Sequence, residues 1–332
     1  MSWKQLFASL ITTAVVLAAF NLTVHRLARN SVPRQLITRL NSVSGVTHLA
    51  LGNSLMAAGF DEKAFDQKLG SHSTRSVNAG LGSTGPVEHL LVLRDEERKN
   101  SHLRYVIYGF FDFQLTDDNA TQVSDLIGDR AMSYYVEPDI ALRFYSMPWS
   151  DRIAFYFYRE TPMIEDRAQV WAKIELVRRW LSQAGLPART YDRFGRVADF
   201  TALEAASPAQ FAERCDALMV QHVGLNSAIL EIIRESQGHN AVVVMVEMPM
   251  HPSHQSRFYS VPAWGRYRSY LHQLVSREGV VYLNASDWIR DPAEFADNLH
   301  MNGVGAEKFS RRLAQFFLQL GDHPLRLVSK KP

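Results

Sequence analysis

Two short stretches, far apart in the chain, hold residue types that together can run nucleophilic chemistry. Near the C-terminus, Asp297-Asn298-Leu299-His300-Met301-Asn302-Gly303-Val304-Gly305 sets an acid three residues before a histidine, ahead of an Asn, two glycines and an amphipathic run. Upstream, the apolar run Leu49-Ala50-Leu51 ends in the small turn Gly52-Asn53-Ser54. A serine hydroxyl is a weak nucleophile until a base takes its proton. Histidine can take it, and an acid can fix the tautomer and stabilise the imidazolium. On a turn leading into a helix, the spacing of Asp297 and His300 lets both side chains point the same way. Singly, Ser54 reads as a turn serine and His300 as a structural histidine; the combination, in the order Ser, Asp, His, carries the argument.

Something must bring these stretches together, and the rhythm of the chain supplies it. Short apolar runs read as buried strands at Val46 to Leu51, Ser76 to Ala79, Arg104 to Tyr108, Ala241 to Val246 and Val280 to Leu283. Helical patterns alternate with them, at about 87–98, 208–236, 264–277 and 303–320. Strands alternating with helices imply a parallel sheet covered on both faces. In such sheets ligands bind outside the C-terminal ends of the strands. Ser54, the glycine-rich turn with Gly82 and Ser83, Asp112, the loop from Met248 to His254, and Asp297 with His300 all follow strand ends, so they converge on one rim.

The chain has 332 residues, 46% of them hydrophobic, which is ample for a packed core. A net charge of +2 gives no reason to invoke nucleic acid. The one cysteine, Cys215, rules out an internal disulfide and any Cys-based zinc cluster. Leu6 to Val24 is uncharged and mostly apolar, long enough to cross about 30 Å of hydrocarbon as a helix. It ends Ala18-Ala19-Phe20-Asn21, a poor cleavage site, so it reads as an uncleaved anchor rather than a signal peptide. The flanking arginines Arg26, Arg29, Arg34 and Arg39, read by the positive-inside rule, would leave the large domain in the cytoplasm. The short N-terminal tail is itself easily left inside.

The expected organisation is an anchor over 1–25, a linker over 26–44 and one α/β domain over 45–325. An aromatic-rich insert interrupts that domain at about 113–205, with a helix from about Glu165 to Ala184. It reads either as extra helical packing or as a wall or lid over the site. In the loop His251-Pro252-Ser253-His254, two histidines three apart could share a metal. No Cys pair or helical His-Glu pattern supports one, and the loop reads as a cleft lining or a plain surface loop.

These residues carry a resemblance to the SGNH hydrolases, also called the GDSL esterase superfamily. Gly52-Asn53-Ser54 is similar to the family's Gly-Asp-Ser block, and Asp297-Asn298-Leu299-His300 matches its Asp-x-x-His pattern. The likeness spans roughly 45–112 and 240–320. It implies a flavodoxin-like three-layer α/β/α sandwich with a five-stranded parallel sheet. Ser54 would be the nucleophile, His300 the base and Asp297 its orienting acid. The backbone of Ser54 and of Gly82 or Ser83 would form the oxyanion hole. The chain departs from the family in Gly109-Phe110-Phe111-Asp112, where Phe111 stands for an Asn that donates to the oxyanion. A lost donor costs on the order of 3 kcal/mol in other hydrolases, and Gln114 is the nearest amide. Asn53 replaces the usual Asp, a change seen in membrane-anchored relatives that modify surface glycans. Asn53, Asp112, Gln114 and His251 are the remaining cleft candidates. The resemblance implies a serine esterase or O-acyltransferase, needing no cofactor or metal, on the outer side of the cytoplasmic membrane. It would act on acylated cell-surface or exported polysaccharide, beside polysaccharide-biosynthesis proteins. The alternative is an inactive relative that binds glycan or scaffolds an export complex.

Overall fold

The structure, a computed structural model, describes residues 2–28, 32–70, 74–82, 84–99, 102–116, 121–122, 138–146, 148–159, 161, 170, 174, 177–178 and 207–321. The chain divides into two compact units, Met1–Ser42 with Ala120–Pro187, and Val43–Asn119 with Ala188–Pro332.

In the first unit, helix α1 (Trp3–Ala28) is followed by α2 (Val32–Ser42). At 1.5 Å per residue, the 26 residues of α1 reach about 39 Å, more than the hydrocarbon thickness of a bilayer. Within Trp3–Leu27, an 18-residue window reaches a mean hydropathy of 1.9. Its large apolar side chains, among them Phe7, Leu10, Val15 and Phe20, are exposed, unlike those of a core helix. The same unit holds a short parallel pairing of Thr121–Gln122 with Tyr145–Ser146 and the helices Pro138–Phe144 and Trp149–Arg159. The helix expected over 165–184 falls almost wholly outside the described residues.

The second unit is a three-layer α/β/α sandwich. Its strands are β1 (His48–Gly52), β2 (Ser76–Asn78), β3 (Tyr105–Phe110), β4 (Val242–Glu247) and β5 (Val281–Asn284). They form one sheet in the order β2-β1-β3-β4-β5, every pairing parallel. Every residue of β1 to β4 is buried, and only the edge strand β5 is partly exposed. Unbroken apolar runs such as Val242-Val243-Val244-Met245-Val246 suit strands covered on both faces.

The helices of this unit are α3 (Ser54–Gly59), α4 (Glu62–Leu69), α5 (Pro86–Lys99), α6 (Pro208–Val220), α7 (Ser227–Gly238), α8 (Pro262–Arg277) and α9 (Gly303–Leu320). They cover both faces of the sheet: α9 packs with α3 and α4, α5 with α7, and α6 with α8. The sheet order reverses at β1, since the chain moves outward to β2 and then crosses back to β3. That switch point opens a crevice beyond the C-terminal ends of β1 and β3.

Two elements differ from the sequence reading. The run at 208–236 is two helices. After α6, His222 takes φ +51°, the Val223 N–H returns to the Leu218 carbonyl, and the Asn226 side chain caps α7 by accepting from Ala228 N at 2.8 Å. Helical periodicity continues across this break and hides it. The short helices α3 and α4 were not anticipated, because six and eight residues are too few for a periodic signal.

Candidate active site

The serine arm starts with a sharp turn out of β1. Gly52 pairs with Gly109 and has φ +151°; a Cβ there would lie 2.8 Å from the Gly109 carbonyl oxygen and from Met56 Cβ. Only glycine fits. Asn53 is extended, and its Oδ1 caps α3 by accepting from Leu55 N at 2.9 Å. Ser54 is therefore the first helical residue, and its N–H is one of those that have no intrahelical partner.

A six-residue helix cannot hold itself in water. The far end of α3 is fixed by Asn78 of β2, whose Nδ2 faces the carbonyls of Met56, Ala57 and Phe60 at 3.1, 3.2 and 2.8 Å. Asn78 Oδ1 accepts from Gly80 N at 2.9 Å. One buried amide thus ties the serine's helix to the loop that carries Gly82.

The histidine arm is a tight turn after β5. Phe295 and Met301 form an antiparallel bridge, and Ala296 N donates to His300 O at 2.8 Å. Inside the turn, Asp297 Oδ1 accepts from the backbone N–H of Leu299 (2.7 Å) and His300 (2.6 Å). Asn302 caps α9 and donates back to Ala293 O at 2.7 Å. Gly305 lets α9 start hard against this turn, since a Cβ would fall 2.3 Å from the Glu294 carbonyl oxygen.

The two arms meet. His300 Nε2 lies 2.8 Å from Ser54 Oγ, and His300 Nδ1 lies 2.7 Å from Asp297 Oδ2. The side chains of His300 and Asp297 are 17% and 18% exposed. Burial alone would raise the Asp297 carboxyl. The hydrogen bonds from the His300 ring and backbone and from Leu299 outweigh it and hold the carboxyl below its ordinary range. An ionised carboxylate can only accept, so Nδ1 carries the ring proton. The Nε2 lone pair then accepts the Ser54 O–H.

The other expected cleft residues are distributed around this chain of bonds. Asn53 Nδ2 donates to Gln114 Oε1 at 3.4 Å. Because Asn53 Oδ1 is committed to its cap, Nδ2 is the end that faces Gln114. The Gln114 oxygen is thereby turned to Asn53, and its NH2 makes no hydrogen bond among the described residues. Gly82 sits in the turn after Leu81, whose N–H bonds to Gly52 O at 3.0 Å. Ser83 lies outside the described residues. Asp112 has φ +46°, and its Oδ1 accepts from Tyr259 OH (2.8 Å) and His254 Nε2 (3.1 Å).

His251 caps its own turn, its Nδ1 accepting from Ser253 N at 3.1 Å. Burial lowers its proton affinity, with the Asp297 carboxylate opposing and the His254 imidazole adding to the fall. His251 and His254 are thus engaged separately. Among the described residues no three His, Cys, Asp or Glu side chains are grouped to hold a metal ion. Cys215 is buried, and burial first, then the Asp216 and Asp112 carboxylates, push its thiol up to about 12. It carries no thiolate at neutral pH to compete with Ser54.

Sequence reasoning missed three supports of the site. Asn78 carries no signal beyond its place at a strand end. The partnership of Asp112 with His254 and Tyr259 joins residues on different loops. The third is a buried network in which Thr84 Oγ1 meets His89 Nε2 at 3.0 Å and His89 Nδ1 meets Tyr108 OH at 2.9 Å. Its only trace is the polar pair Glu88-His89 inside an apolar helical run.

No family model and no curated protein matches this chain. It is similar to a solved structure assigned as an acylhydrolase from Bacteroides fragilis NCTC 9343, at 8% identity and TM-score 0.39 over 85% of this chain and 94% of that one. A GDSL-like lipase from Bacteroides thetaiotaomicron VPI-5482 is similar at 7% identity and TM-score 0.39, over 89% of this chain and 100% of the other. A structure assigned as an arylesterase from Agrobacterium tumefaciens str. C58 is similar at 11% identity and TM-score 0.34, over 83% and 100%. Likenesses this distant leave the chemistry to be argued from the residues themselves.

Proposed function

We propose that this chain is a membrane-anchored serine esterase or O-acyltransferase, with Ser54 as nucleophile, His300 as general base and Asp297 as the acid that orients it. The observation that carries the reading is the unbroken line of hydrogen bonds Ser54 Oγ–His300 Nε2 and His300 Nδ1–Asp297 Oδ2, at 2.8 and 2.7 Å. Those lengths are the working geometry of a nucleophile, its base and its orienter.

In the first half-reaction, Ser54 Oγ attacks an ester carbonyl while its proton passes to His300 Nε2. The Asp297 carboxylate stabilises the imidazolium. Negative charge collects on the carbonyl oxygen, where the N–H groups of Ser54 and of Gly82 or Ser83 would receive it. Gln114, with its NH2 turned from Asn53, is the side-chain amide that would supply the donor Phe111 lacks. The alkoxide leaves with the proton from His300, and the acyl group stays on Ser54. Water or a sugar hydroxyl then gives its proton to His300 and takes the acyl group, restoring the serine. No step needs a cofactor.

The substrate we propose is an O-acylated cell-surface or exported polysaccharide. The anchor α1 would keep the catalytic unit on the outer side of the cytoplasmic membrane, near polysaccharide-biosynthesis proteins. A reporter fused after Pro332 tests the topology, and activity of one that works only in the cytoplasm would overturn it. The central test is labelling of the full-length protein by a fluorophosphonate. Labelling of wild type but not of Ser54→Ala supports the reading. An unlabelled, folded wild type would instead favour an inactive glycan-binding or scaffold protein.

A further inference from the structure

Beside the triad lies an open cavity of about 300 Å³ that the bond-making steps do not use. It is at the small end of the range for small-molecule sites, roughly 300–1,000 Å³. Leu299, from the turn that carries His300, forms part of its wall. Asp112 after β3, Phe211 and Arg214 of α6, and His254 and Phe258 after β4 also line it. The cavity therefore sits on the same rim as Ser54, within one unit of the chain.

Its polar content is selective. Asp112 is held in a left-handed backbone conformation that few residues other than Gly, Asn and Asp adopt. Its Oδ1 is clamped by Tyr259 OH and His254 Nε2, while Oδ2 has no hydrogen-bond partner among the described residues. The carboxylate can only accept, so His254 carries its proton on Nε2, and that imidazole, 3% exposed, is committed to holding Asp112. One carboxylate oxygen is thus fixed and the other left available to donors.

Much of the remaining wall is aromatic, from Phe111, Phe113, Phe211 and Phe258, with Ser207 and Gln210 as its neutral polar groups. The guanidinium of Arg214 lies 4.7 Å from the centre of the Phe113 ring. With Asp112 and Arg214 both on the wall, a cationic ligand meets like charge at Arg214 and an anionic one meets it at Asp112. A plain alkyl chain would bury the carboxylate without giving it a donor, which is unfavourable. A neutral ring rich in hydroxyls fits all three conditions. Its hydroxyls donate to Asp112, and its C–H face lies against the electron-rich face of an aromatic ring.

We infer that this cavity is a sugar-ring subsite, which takes a neutral hydroxylated ring and presents an ester on that ring or its neighbour to Ser54. It rests on the esterase reading for the direction of the ester, and on the cavity alone for the ring. Full-length protein in a detergent without sugar headgroups, carrying Ser54→Ala to prevent turnover, is titrated with methyl 6-O-acetyl-glucopyranoside or with butyl acetate. Saturation-transfer NMR and calorimetry report binding. Two further variants test the wall. Asp112→Asn keeps a side chain that tolerates the positive φ, and Phe211→Ala removes a ring that is only half-buried.

The expected result is saturation of the ring C–H protons of the hexoside, with affinity at least tenfold weaker in Asp112→Asn and in Phe211→Ala. Butyl acetate should bind no more tightly than the hexoside. Equal hexoside affinity in all three proteins, no hexoside binding, or preference for butyl acetate would overturn the subsite. Fluorophosphonate labelling of the wild type separates the two readings. Labelled Ser54 without hexoside binding removes the subsite and leaves the esterase, whereas binding without labelling removes the esterase and leaves the subsite.

Discussion

Acid should weaken this fold through His89, by an amount that can be worked out. The ring is 2% exposed, on α5, between Thr84 Oγ1 and Tyr108 OH. Thr84 donates its own proton to Leu81 O at 2.6 Å, so it accepts from His89 Nε2–H, and Tyr108 OH donates to Nδ1. Burial pushes the His89 pKa down to about 3, with hydrogen bonding to the Gly52 carbonyl pulling the other way. In the unfolded chain an ordinary histidine titrates near 6.5. Between these values the unfolded chain binds a proton that the folded one refuses, so stability falls as pH falls. The slope is about 1.4 kcal/mol per pH unit, or about 3 kcal/mol from pH 6.5 to 4. That is a large share of a typical 5–15 kcal/mol.

His89→Gln removes this proton. At pH 7 the variant should be less stable by about 1–3 kcal/mol, from disturbed buried hydrogen bonds. At pH 4 the deficit should shrink by about 3 kcal/mol, so the two stability curves meet or cross. Urea unfolding of the detergent-solubilised protein, followed by tryptophan fluorescence across pH 4–7, measures it. Burial holds Glu97 up at about 7 and raises Asp66, and burial puts His48 at about 4. These groups titrate alike in both proteins and cancel in the difference. Curves that stay parallel from pH 7 to 4 would refute the argument.

Ser54→Ala and His300→Ala should each remove nearly all turnover of a small acetyl ester, and the double variant should be little worse, because parts of one catalytic unit are strongly non-additive. Asp297→Asn should be milder in turnover. Its depressed carboxyl adds stability that is present above the ordinary Asp value and lost as pH falls through the folded one, so the variant should also unfold with a flatter acid limb. Gly52→Ala should cost about 1–3 kcal/mol of backbone strain and displace Ser54, read as a lower Tm together with lost turnover. Arg268→Ala should cost about 3–5 kcal/mol in urea unfolding. It strands Glu247, fully buried and bonded by Arg268 at 2.9 and 2.7 Å, whereas Arg268→Met with Glu247→Leu should cost less.

The sheet was legible because its strands are buried on both faces, which leaves them as unbroken apolar runs that punctuating glycines and polar residues bound. All five appear within two or three residues of their expected limits. The Ser54, His300 and Asp297 constellation was legible for a related reason: each residue follows a strand end, and parallel strands put those ends on one rim. The supports were not. Asn78 reads as any polar residue closing a strand, and its three carbonyl contacts exist only once α3 has formed. Asp112 finds Tyr259 and His254 across 147 and 142 positions, a pairing that no local pattern encodes. The break at His222 was hidden because α6 and α7 share an apolar period, and only Gly224 and the cap at Asn226 mark it.

The grip of Asn78 on the end of α3 means that Ser54 is aimed from behind, by a buried residue outside the Ser54–His300–Asp297 line of hydrogen bonds. A side chain on the neighbouring strand closes three carbonyls of a helix too short to persist alone, and the same side chain sets the start of the loop with Gly82. Ser54 and the turn with Gly82 are therefore indexed to one amide. Shortening or rotating that amide would shift both together and, in the proposed esterase, retune the rate without touching any group that meets the ester. It also separates chains that look alike: one that keeps the serine, aspartate and histidine but lacks a double-handed amide at the end of its second strand would retain the three letters and lose the fixed aim between them.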